Sequence, residues 1–147
     1  MTFKRILHAT DFSPASRPAF ARAVATARSS RTKLTLVHVQ APIVPMTGEG
    51  YISPATFERL VASAEAWARK RMQALVAKAR AAGVGATSVV VEGLAHEQIL
   101  RVARARKAGL IVMGTHGRSG VARLFLGSVA GRVVAGAPCP VLTVRGR

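Results

Sequence analysis

The strongest constraint on the fold is a regular alternation of short apolar runs, rich in β-branched residues, with longer segments of helical periodicity. The predicted strands are residues 3–10, 34–39, 87–91, 110–113 and 140–145. A helical segment lies in each of the four intervals between them, and no Pro-rich or Gly-rich linker divides the chain. This pattern favours an α/β fold: one doubly wound, parallel, five-stranded sheet in a single domain over residues 1–147, with helices on both faces.

Two of the helices have clear starting signals. Ser13-Pro14 and Ser53-Pro54 each combine an N-cap residue with proline in the first turn. They predict helices that run to about residue 30 and about residue 82. Apolar residues near helical spacing predict the buried face of the second helix. They are Leu60, Ala64, Trp67, Met72, Leu75 and Ala79.

Composition narrows the class of protein. Half of the 147 residues are apolar, which excludes general disorder, and no apolar run approaches the ~20 residues of a membrane span. Asp11 follows the start too closely for a signal-peptide core. The single cysteine, Cys139, excludes an internal disulfide and is interpreted as a buried, inert thiol. A cytoplasmic location is expected.

The charge of the chain is unusual. Lys and Arg number 22 against six Asp and Glu, so the formal net charge is +16. Such an excess attracts polyanions. However, no run of five like charges occurs, and no aromatic residues are interleaved for base stacking. A solvated basic surface is therefore favoured over specific nucleic-acid binding, which stays open.

A glycine-rich segment after the fourth strand carries the clearest functional signal. Gly114, Gly117 and Gly127 are followed by Ser128 and by a predicted helix at 129–135. Glycines between a strand end and a helix start let backbone N–H groups approach a phosphate closely. The segment is not a Walker A loop, because no Lys precedes Ser128, and no GxGxxG fingerprint follows the first strand.

A ligand on such a sheet binds beyond the carboxyl ends of the strands, where the strand order reverses. If strands one and four are neighbours, Asp11, Val39 and Gly114 converge on one cleft, flanked by the loop 40–51. Asp11 is either a ligand contact or a helix cap. Arg118 and Arg123 either neutralise phosphates or are exposed loop charges.

The four histidines do not suggest a metal centre. His8 and His38 lie within apolar strands and are interpreted as core residues, because no third ligand has suitable spacing. His116 lies in the glycine-rich segment. No nucleophile or second acid is arranged with it, so a role of its backbone is favoured over catalysis.

Five motifs are distributed over the chain: Ile6-Leu-His-Ala-Thr-Asp-Phe-Ser13, Leu36-Val-His-Val39, Ile111-Val-Met-Gly-Thr-His-Gly-Arg-Ser-Gly120, Gly127-Ser-Val-Ala130 and Cys139-Pro-Val-Leu-Thr-Val-Arg145. Together they resemble the universal stress protein family. The resemblance covers essentially the whole chain. The spacing G-x2-G-x9-G-S is similar to that of the ATP-binding branch of the family.

This resemblance implies the strand order 3-2-1-4-5, a homodimer paired through the last strand (Val141–Val144), and bound ATP or a related adenine nucleotide (AMP or ADP). It also implies that Asp11 lies near a Mg²⁺ ion bound to the nucleotide phosphates. The residues that it places at the nucleotide are Ala9, Thr10, Asp11, Val39, Met113, Gly114, Thr115, His116, Gly117, Arg118, Ser119, Gly127, Ser128 and Val129.

Two positions depart from the family pattern, in which acidic residues are common. Gly109 stands just before the fourth strand, and Gly131 stands three residues after Ser128. The function expected from the resemblance is a nucleotide-binding regulator or sensor in the stress response. The alternatives are a slow ATPase, for which the chain offers only Asp11, His116 and loop arginines, and a basic polyanion-binding protein without nucleotide function.

Overall fold

The computed structural model describes residues 2–45, 50, 52–116 and 126–146. The strands are β1 (Ile6–Ala9), β2 (Leu34–Gln40), β3 (Ala86–Glu92), β4 (Leu110–Gly114) and β5 (Val141–Val144). The helices are α1 (Arg17–Ser29), α2 (Pro54–Ala81), α3 (Ala95–Ala105) and α4 (Ser128–Gly136), and a 3₁₀ turn (Pro14–Ser16) precedes α1.

The five strands form one parallel sheet in the order β3-β2-β1-β4-β5, which confirms the predicted fold class and strand order. β1 lies at the centre, where Ile6 is paired with Leu34 of β2 and with Leu110 of β4. The order reverses between β1 and β4. That reversal opens a crevice at the carboxyl ends of the strands.

Side chains alternate between two apolar layers, one on each face of the sheet. Ile6, Leu34 and Leu36 point to the layer that contains α1 and α2. Leu7 and Val37 point to the layer that contains α3 and α4. Because all these strand residues are buried, the central strands read as nearly continuous apolar runs in the sequence.

The predicted buried face of α2 is partly wrong. Met72 and Ala79 are buried as predicted, but Leu60 is 45% exposed and Trp67 is 47% exposed. With 28 residues, α2 is about 42 Å long. β3, with which it packs, has seven residues and spans about 23 Å. The first turns of α2 therefore extend beyond the sheet and have no core to enter.

The two predicted helix starts have different outcomes. The hydroxyl of Ser53 accepts a hydrogen bond from the Thr56 amide (3.2 Å), as the cap prediction requires. Ser13 makes no such side-chain bond, and the segment after it is a 3₁₀ turn before the α-helix begins at Arg17. Proline after Ser13 is compatible with a 3₁₀ turn as well as with an α-helix, because its fixed φ near −65° suits both conformations.

Cys139 is half-buried rather than buried, which corrects the sequence prediction. Partial burial nevertheless raises the pKa of its thiol, and a backbone hydrogen bond with Ile111 opposes that shift. Among the described residues, no helix combines the length and the hydropathy that a membrane span requires.

Candidate functional site

A cavity of about 590 Å³ lies at the carboxyl ends of β1, β2 and β4, between the first turns of α3 and α4. This is the crevice created by the reversal of strand order, and its volume is within the usual range of ligand pockets. The described residues that were predicted from sequence and that line it are Ala9, Thr10, Asp11, Val39, Met113, Gly114, Thr115, His116, Gly127, Ser128 and Val129.

Three further predicted residues, Gly117, Arg118 and Ser119, lie outside the described residues, as does Arg123. The structure therefore brings together every predicted site residue that it describes. Their role in binding stays a prediction.

Six lining residues were not predicted: Ser16, Val37, Ala95, Ile99, Leu126 and Ala130. The signal for Val37 was present in the sequence, because it lies two residues before Val39 and side chains at that spacing share a face of a strand. Ile99 is an apolar residue of the predicted helix between the third and fourth strands, and nothing in its sequence context indicates that it belongs to the site. The contribution of α3 to the cavity wall can be predicted only when it is known how the first turn of α3 lies against β2.

Gly127 joins the end of β4 to the start of α4 through a close backbone contact. Its N–H donates a 2.7 Å hydrogen bond to the Thr115 carbonyl. A Cβ on residue 127 would lie 2.7 Å from that same oxygen, closer than real Cβ contacts allow. Glycine is therefore needed here for close approach. The contact fixes the first turn of α4 against the cavity.

The start of α4 is suited to an anion. The first intrahelical bond runs from the Gly131 N–H to the Gly127 carbonyl (2.8 Å). The N–H groups of Ser128, Val129 and Ala130 precede it. As in any helix, these first N–H groups have no acceptor within the helix itself. All three residues line the cavity. These N–H groups and the positive end of the helix dipole favour negative charge.

A chain of hydroxyl hydrogen bonds shapes the opposite wall. The Ser16 hydroxyl donates to the Ser13 carbonyl (2.8 Å). Its single proton is used there, so the Thr10 hydroxyl donates to Ser16 Oγ (3.2 Å) and accepts from the Phe12 N–H (3.1 Å). The chain ties the 3₁₀ turn to the end of β1. Two hydroxyl-bearing residues, Thr10 and Ser16, are thereby held at the cavity.

Asp11 supports the turn after β1 and also lines the cavity, and its contact with a ligand stays a prediction. Its Oδ1 accepts a 3.0 Å hydrogen bond from the Ser13 N–H, which stabilises the turn after β1, and the residue also lines the cavity. No group of three potential metal ligands occurs among the described residues. A cation at Asp11 would therefore need most of its ligands from elsewhere.

His116 lies at the end of the described part of the loop. Its Nδ1 is 3.0 Å from the Thr115 hydroxyl. Its Nε2 is buried and has no hydrogen-bond partner among the residues that the structure describes. The preference for a role of its backbone over catalysis stays a prediction.

His8 and His38 are core residues, as predicted. Each uses Nδ1 to donate to a backbone carbonyl: His8 to Val112 (3.0 Å) and His38 to Thr10 (2.9 Å). Burial lowers the pKa of His8 to about 4, and the hydrogen bond to Val112 and the charge of Asp11 oppose this shift only in part. His8 is therefore a neutral ring at neutral pH.

A family model described as the universal stress protein family matches residues 2–145. The chain belongs to the universal stress protein family. One curated member, a universal stress protein of Thermus aquaticus, is 39% identical over 143 residues, which cover 97% of this chain and 99% of that protein.

Solved structures of the family share the fold. Universal stress protein UspA from Lactobacillus plantarum superposes with a TM-score of 0.82 at 25% identity, covering 99% of each chain. A universal stress protein crystallised in complex with cAMP gives a TM-score of 0.73 at 24% identity and covers 100% of both chains. At that identity, the second comparison supports the fold alone.

The two departures from the family pattern have different structural settings. A Cβ on Gly109 would lie 2.5 Å from the Lys4 carbonyl, and the Gly109 N–H donates to the carbonyls of Lys4 (3.1 Å) and Arg5 (2.8 Å). An acidic side chain at this position requires the backbone to move. At Gly131 a Cβ would meet nothing within 4 Å, so an acidic residue would fit.

Proposed function

We propose that this universal stress protein binds an adenine nucleotide (ATP, ADP or AMP) in the cavity and acts as a nucleotide-dependent regulator in the stress response. The observation that carries the proposal is the composition of the cavity walls. One side is apolar and suits a base, whereas the other side presents the start of a helix and suits phosphate.

The apolar side consists of Val37, Val39, Ile99 and Met113. Branched and thioether side chains can pack against the two faces of a flat heteroaromatic ring, and the backbone at the strand ends supplies polar groups at the edge of that ring. A fold neighbour was crystallised in complex with cAMP, and we propose that the present chain takes a ligand of the same adenine-nucleotide class.

The phosphate side consists of the first turn of α4, with Gly127, Ser128 and Val129. The proposal places the nucleotide phosphates against these N–H groups and the Ser128 hydroxyl. Asp11 is the residue that would hold a Mg²⁺ ion bound to the phosphates, since Mg²⁺ commonly takes one or two protein carboxylates together with phosphate oxygens.

A regulatory role is favoured over turnover. Hydrolysis needs a positioned water and a group that orients it. Among the described residues, the candidate carboxylate for orienting this water is that of Asp11. It already accepts a hydrogen bond from the Ser13 N–H. We propose that bound nucleotide instead changes the loops 40–51 and 114–128 and so alters the surface that a partner meets. We also propose a cytoplasmic location and a homodimer paired through β5.

The test is a pair of glycine substitutions in the same turn. Gly127→Ala places a Cβ against the Thr115 carbonyl and displaces the start of α4, whereas Gly131→Ala enters open space. ATP at 100 times its dissociation constant adds about 2.7 kcal/mol of stability. For a chain of this length that raises the melting temperature by roughly 5–10 °C.

We expect this increase, measured by differential scanning fluorimetry, in the wild type and in Gly131→Ala and not in Gly127→Ala. Circular dichroism checks that both variants remain folded. Parallel titrations with ADP, AMP and cAMP rank the ligands, and addition of EDTA tests the metal. The absence of any shift in the wild type at millimolar nucleotide would contradict nucleotide binding.

A further inference from the structure

The sheet has a strongly basic end, opposite to the cavity. Cations that are scattered in the sequence converge where strands begin and helices end. We call this set the basic face. It consists of Lys4, Arg5, Arg28, Arg31, Lys33, Lys78, Arg80, Arg104, Arg106 and Lys107, all of them exposed.

The topology brings these residues together. Lys4 and Arg5 precede β1, Arg31 and Lys33 precede β2, and Arg106 and Lys107 precede β4. The others lie in the last turns of α1, α2 and α3. Direct contacts join the segments, because Arg5 donates to the Arg106 carbonyl (3.5 Å) and to the Thr32 hydroxyl (3.0 Å).

The acidic residues lie at the other end. Asp11 and Glu92 are at the carboxyl ends of β1 and β3. Glu97 is in the first turn of α3. Glu58 lies near the start of α2, and Glu65 adjoins Ala64, whose carbonyl accepts from Gln40 at the end of β2 (2.9 Å). The remaining acid, Glu49, lies outside the described residues. The basic face thus holds ten of the 22 cations and none of the described acids.

Helix dipoles account for only part of this arrangement. Cations at helix C-termini are stabilised by the negative end of the helix dipole, which explains residues such as Arg28 and Arg104. Lys4, Arg5 and Lys33 stand instead at strand starts. The dipoles therefore explain part of the basic face and leave its densest part without a structural reason.

Backbone conformation supports a role for the charges. Arg5, Arg31 and Lys107 have φ values of 60°, 51° and 50°, in the left-handed region. Arg31 and Lys107 follow the ends of α1 and α3, where glycine is favoured, as Gly83 is after α2. A non-glycine residue in this conformation costs about 1 kcal/mol. A cation stands at each of these positions although glycine would be more stable there.

We infer that the basic face binds the phosphate backbone of duplex nucleic acid without reading its sequence. Six of the ten cations are Arg, whose planar guanidinium matches phosphate in bidentate geometry. Among the described residues of the segments that form the face, the one aromatic residue, Phe3, is half-buried and packs against the core, so the face offers no exposed ring of the kind that a single-strand site would use for base stacking. They also contain none of the large apolar side chains exposed among the described residues, which a membrane-inserting surface would need.

The dimensions fit a duplex. β2, β1 and β4 are successive neighbours about 4.8 Å apart, so their starts span about 10 Å within the plane of the sheet. The helices lie about 10 Å above and below that plane, so the face spans about 20 Å in the perpendicular direction. About 20 Å of B-form DNA carries roughly 12 charges, since one charge lies on each ~1.7 Å of its axis.

The test compares two triple variants of equal charge. Lys4→Gln, Lys33→Gln and Arg106→Gln remove three charges from the basic face. Arg17→Gln, Arg59→Gln and Arg69→Gln remove three exposed charges from the start of α1 and from the part of α2 that precedes its last three turns, away from the face. Binding of a fluorescein-labelled, 30-base-pair duplex of mixed sequence is followed by anisotropy between 50 and 300 mM NaCl.

We expect the wild type to bind with an affinity that falls steeply with salt. The basic-face triple should bind at least about tenfold more weakly at 100 mM NaCl, with a salt slope shallower by about 2–3 units, because each phosphate contact contributes about 0.9. The control triple should stay within about threefold of the wild type. If the basic-face triple loses its melting transition, the double variant Lys4→Gln, Lys33→Gln replaces it, with half to two-thirds of the effect expected.

Three results would overturn the inference. The first is no duplex binding by the wild type at 100 mM NaCl. The second is an equal loss in both triples, which would show a response to net charge alone. The third is an unchanged duplex affinity of the basic-face triple together with loss of binding to phosphatidylserine vesicles, which would assign the face to a membrane.

Discussion

His8 gives the chain a specific acid sensitivity that can be calculated from its surroundings. The ring is fully buried, it donates one hydrogen bond to the Val112 carbonyl, and its Nε2 has no partner among the described residues. Protonating Nε2 would place a charge in the core, so the folded pKa is about 4 against 6.5 for an exposed ring.

The sign and size of the effect follow from these two values. The unfolded chain takes up the proton more readily than the folded chain, so the contribution to stability is complete above pH 6.5 and declines as the pH falls toward 4. A difference of about 2.5 pKa units corresponds to about 3 kcal/mol, of which about 2.5 kcal/mol is lost between pH 7.5 and 4.5. That is a large share of the 5–15 kcal/mol typical of a domain.

The assay is urea unfolding at pH 7.5, 6.5, 5.5 and 4.5, followed by circular dichroism in the wild type, His8→Asn and His8→Leu. Asn keeps a donor for the Val112 carbonyl and Leu does not, so the two variants should differ at pH 7.5. Both lack the titrating ring, so both should lose about 2.5 kcal/mol less than the wild type on going to pH 4.5. A wild-type-minus-variant difference that is constant across this range would refute the reasoning.

Two further predictions concern Gly109 and the β5 edge. Gly109→Asp, which restores the family's acidic residue, should lower the free energy of unfolding by about 2 kcal/mol or more, because its Cβ meets the Lys4 carbonyl at 2.5 Å. Gly131→Asp, in open space, is the control for the same urea assay, and equal stability of the two variants would contradict the steric argument. Thr143→Pro should convert the proposed homodimer into a monomer in light scattering after gel filtration. The Pro140 carbonyl points toward β4, and the Val144 carbonyl points toward Thr115. Because the backbone groups of successive strand residues point to opposite sides, the N–H of Thr143 points to the free edge of the sheet. A monomeric wild type would rule out pairing through β5.

The sequence predicted the elements well because the alternation of apolar strands and helices is a local property. Strand order is not local, and it followed from the family resemblance rather than from periodicity. The error at Trp67 shows what periodicity omits. The spacing is helical, but Trp67 lies at the border of the buried face, beside the fully buried Ala68. Its ring packs edge-on against Phe12 (5.4 Å between ring centroids) and under the Arg71 guanidinium (5.2 Å).

The site shows the same division. The two predicted glycines that the structure describes, Gly114 and Gly127, lie with the predicted strand ends around one cavity, because the carboxyl ends of parallel strands share an edge. The reason for Gly127 itself, a 2.7 Å approach to the Thr115 carbonyl, requires coordinates. The basic face was missed although its signal was present. Each of its clusters lies between the end of a helix and the start of a strand, or just before β1, and in a parallel α/β fold all these positions share one end.

The separation of charge along the sheet makes the two proposed sites independent. A uniform charge of +16 would draw any polyanion to every surface, including the rim of the cavity. Among the described residues, Asp11, Glu92 and Glu97 lie at the cavity end of the sheet, whereas the basic face holds no acid, so a long phosphate backbone is favoured at the basic face and a small nucleotide at α4. The triple variant of the basic face should therefore retain the ATP-dependent increase in melting temperature, and Gly127→Ala should retain the affinity for duplex. Loss of both activities in either variant would mean that nucleotide and duplex compete for one surface.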